Sequence, residues 1–217
     1  MTTSTEIRTF FEGLIDYSLD DTLTYNLMDQ VDKELAAMRN WEILKNLDES
    51  LSASPSDSYT TAKALPTRYM KTLTLFVGDD IVPYRQVAFE LRERFKNRGR
   101  FFFVDFANSN YYLASPPASA STLHHWFMKY PPTMIAGVTP VWPSQFLAYH
   151  AYKMAEKFFA IDLGEKGRSW DDRWRLYAND LLNQMIKWDA MMKHQSIQNQ
   201  SLAVDYSSDP LRSDLGY

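Results

Sequence analysis

The apolar positions of this chain change their spacing several times, and each change predicts a different kind of element. Near the N-terminus Ile7, Phe10, Phe11 and Leu14 share one helical face. Thr3, three residues before Glu6, opens that helix as a capping box. Asp20 and Asp21 supply a second N-cap, after which Leu27, Val31, Leu35 and Met38 recur at helical spacing as far as Trp41. Residues 50–66 are rich in Ser, Thr, Ala and Pro and read as a connector. The period then drops to two: Tyr69, Lys71, Leu73, Leu75 and Val77 alternate with Met70, Thr72, Thr74 and Phe76, and Gly78-Asp79-Asp80 makes a turn.

Residues 86–97 read as a short helix carrying Val87, Phe89, Leu91 and Phe95. Three more strands are expected at 100–106, 111–114 and 121–130, separated by the turn signals Asn108-Ser109-Asn110 and Ser115-Pro116-Pro117. Pro131, Pro132, Pro140 and Pro143 mark the exit from this β region, and a helical period returns with Leu147, Ala151, Met154, Phe158 and Ile161. Gly164 and Gly167 frame a stop and restart. Ser169 is then expected to cap a last helix striped with Trp170, Trp174, Tyr177, Leu181, Met185, Trp188 and Met192. From His194 to Tyr217 the helical period is lost. Leu202, Val204 and Tyr206 alternate as an added strand would, and Leu211, Leu215 and Tyr217 suit shallow pockets on a partner.

The pattern predicts an α+β fold, mainly α: a helical bundle of two N-terminal and two C-terminal helices, with a β-rich insert and an extended C-terminal tail. Residues 1–66 hold the N-terminal helices and connector, and 67–131 the insert. Residues 132–193 hold the C-terminal helix pair, which packs with 1–49 as one helical body, and 194–217 are the partner-binding tail.

Composition narrows the chemistry. The apolar share of 45% and charged share of 23% are those of a folded chain, and an aromatic share of 15% favours large contact surfaces. Without cysteine there is no disulfide, thiolate metal site or thiol nucleophile. There is no basic n-region followed by an apolar run, and no apolar run of membrane-spanning length, so a soluble protein is expected. The net charge of -4 hides a reversal between residues 85 and 100. There Arg85, Arg92, Arg94, Lys96, Arg98 and Arg100 face only Glu90 and Glu93.

His124 and His125 are adjacent, so on a strand they point to opposite faces and cannot readily share a metal. His125 reads as a core or interface histidine, and His150 lacks the second ligand of an H-E-x-x-H pair. No nucleophile elbow, phosphate-cradling glycine loop or EF-hand pattern occurs. The paired acids Asp20/Asp21 and Asp171/Asp172 coincide with helix starts, where the macrodipole favours them. The reading is therefore of a protein that is not an enzyme, with no catalytic residues, metal or cofactor. The basic segment has two readings: a solvated helix face, or a nucleic-acid-binding module centred on Arg92, Arg94, Lys96, Arg98 and Arg100.

Several segments taken in order carry a resemblance. They are the proline-led run from Val141-Trp142-Pro143 to Tyr149-His150, then Ala151-Tyr152-Lys153-Met154-Ala155-Glu156, the break at 162–167, Trp174-Arg175-Leu176-Tyr177, and Met185-Ile186-Lys187-Trp188-Asp189. Upstream of these stand Met38-Arg39-Asn40-Trp41 and the entry at residues 59–66. This succession resembles the head–tail adaptor (head-completion, connector) proteins of tailed bacteriophages. The resemblance implies a virion structural protein of the neck, made in the host cytoplasm, that forms a dodecameric ring between portal and tail and extends the DNA channel. Its implied partners are the portal protein, neighbouring copies of itself, a tail-side protein (nozzle or stopper) and double-stranded DNA in the lumen, with no membrane. The implied portal-binding residues are those of the tail, Leu202, Val204, Tyr206, Leu211, Leu215 and Tyr217. The basic residues would face the channel or a neighbouring subunit.

Overall fold

The computed structural model describes residues 2–162 and 164–204, of which 161–162, 164–171 and 196–204 are described as backbone alone. The fold is mixed α+β and divides into two compact units. One joins the N-terminal segment up to Ile43 with the segment from Pro132 onward, and the other is Leu44–Pro131.

In the first unit α1 (Ser4–Ile15) begins where expected: the Thr3 hydroxyl accepts the Glu6 amide at 3.3 Å. Ile7, Phe11 and Ile15 form its buried face, and Asp16 ends it in the left-handed conformation at φ 53°. The helix α2 (Asp21–Ala37) is capped by Asp20, whose carboxylate accepts from the amides of Thr22 and Leu23. It buries Tyr25, Met28, Val31 and Leu35. Arg8 links the two helices through ion pairs with Glu12 and Asp21.

A 3-10 turn at Ser144–Phe146 leads into α4 (Ala148–Asp162), and α5 (Gly164–Val204) follows after a single intervening residue. The short helix α3 belongs to the other unit and is described below. Each of α1, α2 and α5 packs against α4. That central position is why α4 has buried or half-buried residues all the way from Ala148 to Phe159. Aromatic rings fill the seams: Phe11 meets Phe158 edge-on, Phe10 meets Tyr152, and Tyr152 stacks on Trp174 at 5.8 Å. Trp41 is fully buried, donates its indole N–H to the Leu35 carbonyl at 2.7 Å, and packs edge-on against Trp142 at 5.3 Å.

The second unit is built from eight strands. β1 (Lys45–Asp48) and β2 (Ser52–Ala53) both lie antiparallel to β8 (Ser121–Lys129), whose other edge pairs with β4 (Tyr69–Val77). The second sheet runs β3 (Lys63–Ala64), β7 (Asn110–Leu113), β6 (Phe101–Asp105), β5 (Arg85–Val87). Its β5–β6 pair is parallel and its other two pairs are antiparallel. The two sheets share a core of Ala53, Leu75, Val77, Tyr84, Phe102, Val104, Tyr111, Leu113 and Leu123. Tyr84 stitches them together by donating its amide to the Leu75 carbonyl at 2.8 Å.

Four expectations are corrected. The β unit begins at Leu44 and not at residue 67, because β1, β2 and β3 come from the segment 1–66 assigned to the N-terminal helices and connector. These strands are only two to four residues long, too short to show a period. The helix expected over 86–97 is instead β5, a 3-10 turn at Phe89–Leu91 and one turn of α3 (Arg92–Phe95). Parallel pairing with β6 claims the first two residues of that stretch, Gln86 and Val87, together with Arg85 before it. Ser169 lies inside α5 and does not cap it, since that helix already starts at Gly164.

The last correction concerns the tail. Residues 194–204 are helical, a continuation of α5 and not an extended segment. Extending an existing helix avoids the cost of nucleation, and Pro210 is the first proline after Pro143. Leu202 and Val204 therefore lie on a helix and do not alternate on a strand. Tyr206, Leu211, Leu215 and Tyr217 lie outside the described residues.

Candidate functional site

The basic segment of the second unit is held rigidly by its own aromatics. Phe95 packs on Phe101 at 4.8 Å, and Phe89 packs on Tyr112 at 5.7 Å. The Asn97 amide donates to the Ala114 carbonyl and the Arg98 amide to the Phe95 carbonyl. Asn97 and Gly99 both take positive φ, 55° and 57°, so the chain reverses tightly between α3 and β6. Arg85 opens β5 directly opposite Phe101, and its amide donates to the Arg100 carbonyl at 2.9 Å.

The six basic side chains of this ridge fall into two groups. Arg92 lies over the Phe89 ring at 4.3 Å, with Glu93 at 3.9 Å. Lys96 lies over the Tyr59 ring at 4.6 Å. Arg100 is bound to Asp80 at 3.2 Å and to the Val82 carbonyl at 3.1 Å, and so braces the loop after β4. Arg85, Arg94 and Arg98 are exposed and have no ion pair or hydrogen bond from their side chains among the described residues. The predicted residues Arg92, Arg94, Lys96, Arg98 and Arg100 lie on α3 and on the turn that leads from it into β6, and Arg85 opens the neighbouring β5. The structure separates charges that stabilise the fold from charges left available.

Beside this ridge lies a cleft of about 890 Å3 between the 78–84 and 115–121 segments, lined by Asp80, Tyr84, Arg100, Ser115 and His124 among others. Within it Arg100 engages Asp80 at 3.2 Å, and His124 Nδ1 bonds Glu49 at 2.7 Å. On the other face of β8, His125 is 1% exposed and its Nε2 bonds the Thr72 hydroxyl at 2.8 Å. Burial among Tyr69, Tyr111 and Phe127 pushes its pKa down to about 4, so it is neutral at physiological pH. The opposite facing of the two histidines agrees with the strand reading.

In the first unit α5 outlasts its surroundings. Trp174, Ala178, Met185 and Asp189 form its buried line, whereas Leu176, Tyr177, Met191 and Met192 are exposed apolar positions. Beyond Asp189, residues 190–204 rise about 22 Å as helix.

Sequence reading missed two buried polar nodes here. Asp189, fully buried, accepts the Glu42 amide at 2.6 Å and pairs with Arg39 at 3.1 Å and Lys193 at 2.8 Å. Asp32, 1% exposed, accepts from the Trp142 indole and meets His150 Nε2 at 3.1 Å. A signal existed: each acid falls on an otherwise apolar helical face, where an unpaired charge would be costly. Both carboxylates are buried and read as fold-specifying. Neither a protein-family model nor a curated protein matches this chain.

Proposed function

We propose that this chain is a virion structural adaptor, a dodecameric ring between the portal and the tail of a tailed bacteriophage. In this reading α1, α2, α4 and α5 form a helical bundle that makes the ring body, and the protein has no catalytic role. Its partners are the portal, neighbouring copies, a tail-side protein and the DNA that passes through the lumen, with no membrane involved.

The observation that supports the reading is the length mismatch within one helical hairpin. The helix α4 has 15 residues and α5 has 41, so most of the second helix has no counterpart from the first. An overhang with Met191 and Met192 exposed at its root suits a docking element better than a free end. Because residues 194–204 are helical, this part of the segment would engage a partner as a helix in a groove and not by strand addition.

Mass photometry of the chain mixed with the portal of its virus should show a cyclic oligomer on the portal. Free monomer alone, under conditions where the particle assembles, would overturn the reading. Truncation after Gln195 should abolish portal docking while leaving the remaining far-UV circular dichroism signal helical. Undiminished docking by the truncated chain would remove the role given to the α5 overhang.

A further inference from the structure

We infer that His125 is an acid-operated latch between the two sheets of the second unit: when its ring takes up a proton, the seam between the sheets opens.

The ring stands at the meeting point of both sheets. On β8 itself Phe127 lies 5.6 Å away, β4 supplies Tyr69 at 5.8 Å, and β7 of the other sheet supplies Tyr111 at 5.1 Å. Tyr69 also touches Phe106, just beyond β6, at 6.0 Å. The backbone bond that stitches the sheets, from the Tyr84 amide to the Leu75 carbonyl, falls at the residue opposite His125 in the β4–β8 register.

Hydrogen-bond accounting fixes the resting state. Nε2 lies 2.8 Å from the Thr72 hydroxyl, which lies 2.9 Å from the Tyr69 hydroxyl, whereas Nδ1 is buried with no partner. A hydrogen on Nδ1 would be an N–H without an acceptor, so the neutral ring carries its hydrogen on Nε2 and donates it to Thr72. A proton taken from water must go to Nδ1, where it places an unsatisfied donor and a charge inside the seam.

The titratable groups that face the ring do not relieve that cost. Burial holds the Tyr69 and Tyr111 phenols above their ordinary range, so both stay neutral. Asp48 on β1 pairs with His125 in register and its charge favours the protonated ring, but its Oδ1 accepts the Ser50 amide at 2.9 Å and burial outweighs it. Opening the seam returns the ring to water, so acid favours the open form. The cluster draws only on β4, β7 and β8 with Phe106, which confines the opening to the second unit. The latch needs no ring and no partner, and it holds or fails independently of the adaptor function.

The test is hydrogen–deuterium exchange of the full chain from pH 7.5 to pH 4.5, corrected for the intrinsic pH dependence of exchange. Protection of the β4, β7 and β8 amides should fall about 70-fold over that range, while α1, α2 and α4 keep theirs. His125→Gln retains a donor for Thr72 and cannot titrate, so the fall should vanish. His124→Gln, on the opposite face of β8, should show the full wild-type fall. A readout that needs no variant is 15N NMR of the wild-type histidines, which should show one ring still neutral at pH 5 with its hydrogen on Nε2. A fall that survives His125→Gln, an equal fall in the helices, or a charged His125 in the folded chain at pH 5 overturns the inference.

Discussion

Replacing Asp189 with alanine should cost the helical unit about 3 kcal/mol, and the structure supplies the reasoning. The carboxylate is fully buried and receives three charge-assisted contacts: the Glu42 amide at 2.6 Å, Lys193 at 2.8 Å and Arg39 at 3.1 Å. Removing one partner of a buried ion pair typically costs about 3–5 kcal/mol. Here Arg39 and Lys193 keep side-chain exposures of 29% and 30%, so both can regain water and the low end applies. Much of the remainder comes from the Glu42 amide, which loses its acceptor at a cost of about 1–3 kcal/mol. Asp189→Asn retains an oxygen for that amide and should cost roughly half as much. Thermal melts followed at 222 nm should show Tm falling roughly 6–12 °C for the alanine variant. Asp180→Ala, at an exposed position on the same helix, should stay within about 0.5 kcal/mol of the wild type. If Asp189→Ala and Asp180→Ala melt alike, Asp189 does not clamp α5 to the segment after α2.

Two further predictions concern the β unit and the backbone. With the folded pKa of His125 at about 4 and the ordinary value at 6.5, the unfolded chain binds this proton first as pH falls. His125 stabilisation is therefore complete above pH 6.5 and is lost between pH 6.5 and 4, by roughly 3 kcal/mol in all. Urea midpoints measured across that window should fall with acid more steeply for the wild type than for His125→Asn, and equal slopes would refute the assignment. Gly13→Ala, inside α1 with nothing within 4 Å of the added methyl, should stabilise by about 0.5–1 kcal/mol. Gly78→Ala, at φ +57° with Ser121 Cβ at 3.1 Å, should destabilise by about 1–2 kcal/mol. Denaturant titrations of the two variants check the opposite signs.

Long, strongly periodic elements were legible in the residues themselves. Thr3 and Asp20 cap α1 and α2, the alternation from Tyr69 to Val77 is β4 residue for residue, β6 and β8 fall within the expected segments, and β7 lies one residue earlier than expected. Short elements were not legible. Nothing in Lys63–Ala64 distinguishes a strand from a connector until Tyr111 and Asn110 pair with it. Likewise Arg85–Val87 carries one apolar residue and becomes a strand through β6. The basic ridge was visible as a run of charges, but its division into committed and available arginines was not. That division depends on Asp80, Tyr59 and Phe89, which approach only in the folded unit.

By itself the sequence determined where α1 and α2 start, where the two-residue period of β4 runs, and that no thiol is present. Each of these depends on neighbours a few residues apart, and capping, alternation and composition act over that range. Tertiary structure alone decided that β1, β2 and β3 exist, that Asp32 and Asp189 are buried with partners, and which arginines remain available. These depend on groups brought together from distant parts of the chain, such as Glu42 and Asp189 or Asp32 and His150. Local propensity holds no information about such meetings, because their free energy comes from desolvation and pairing that occur only once the chain has packed.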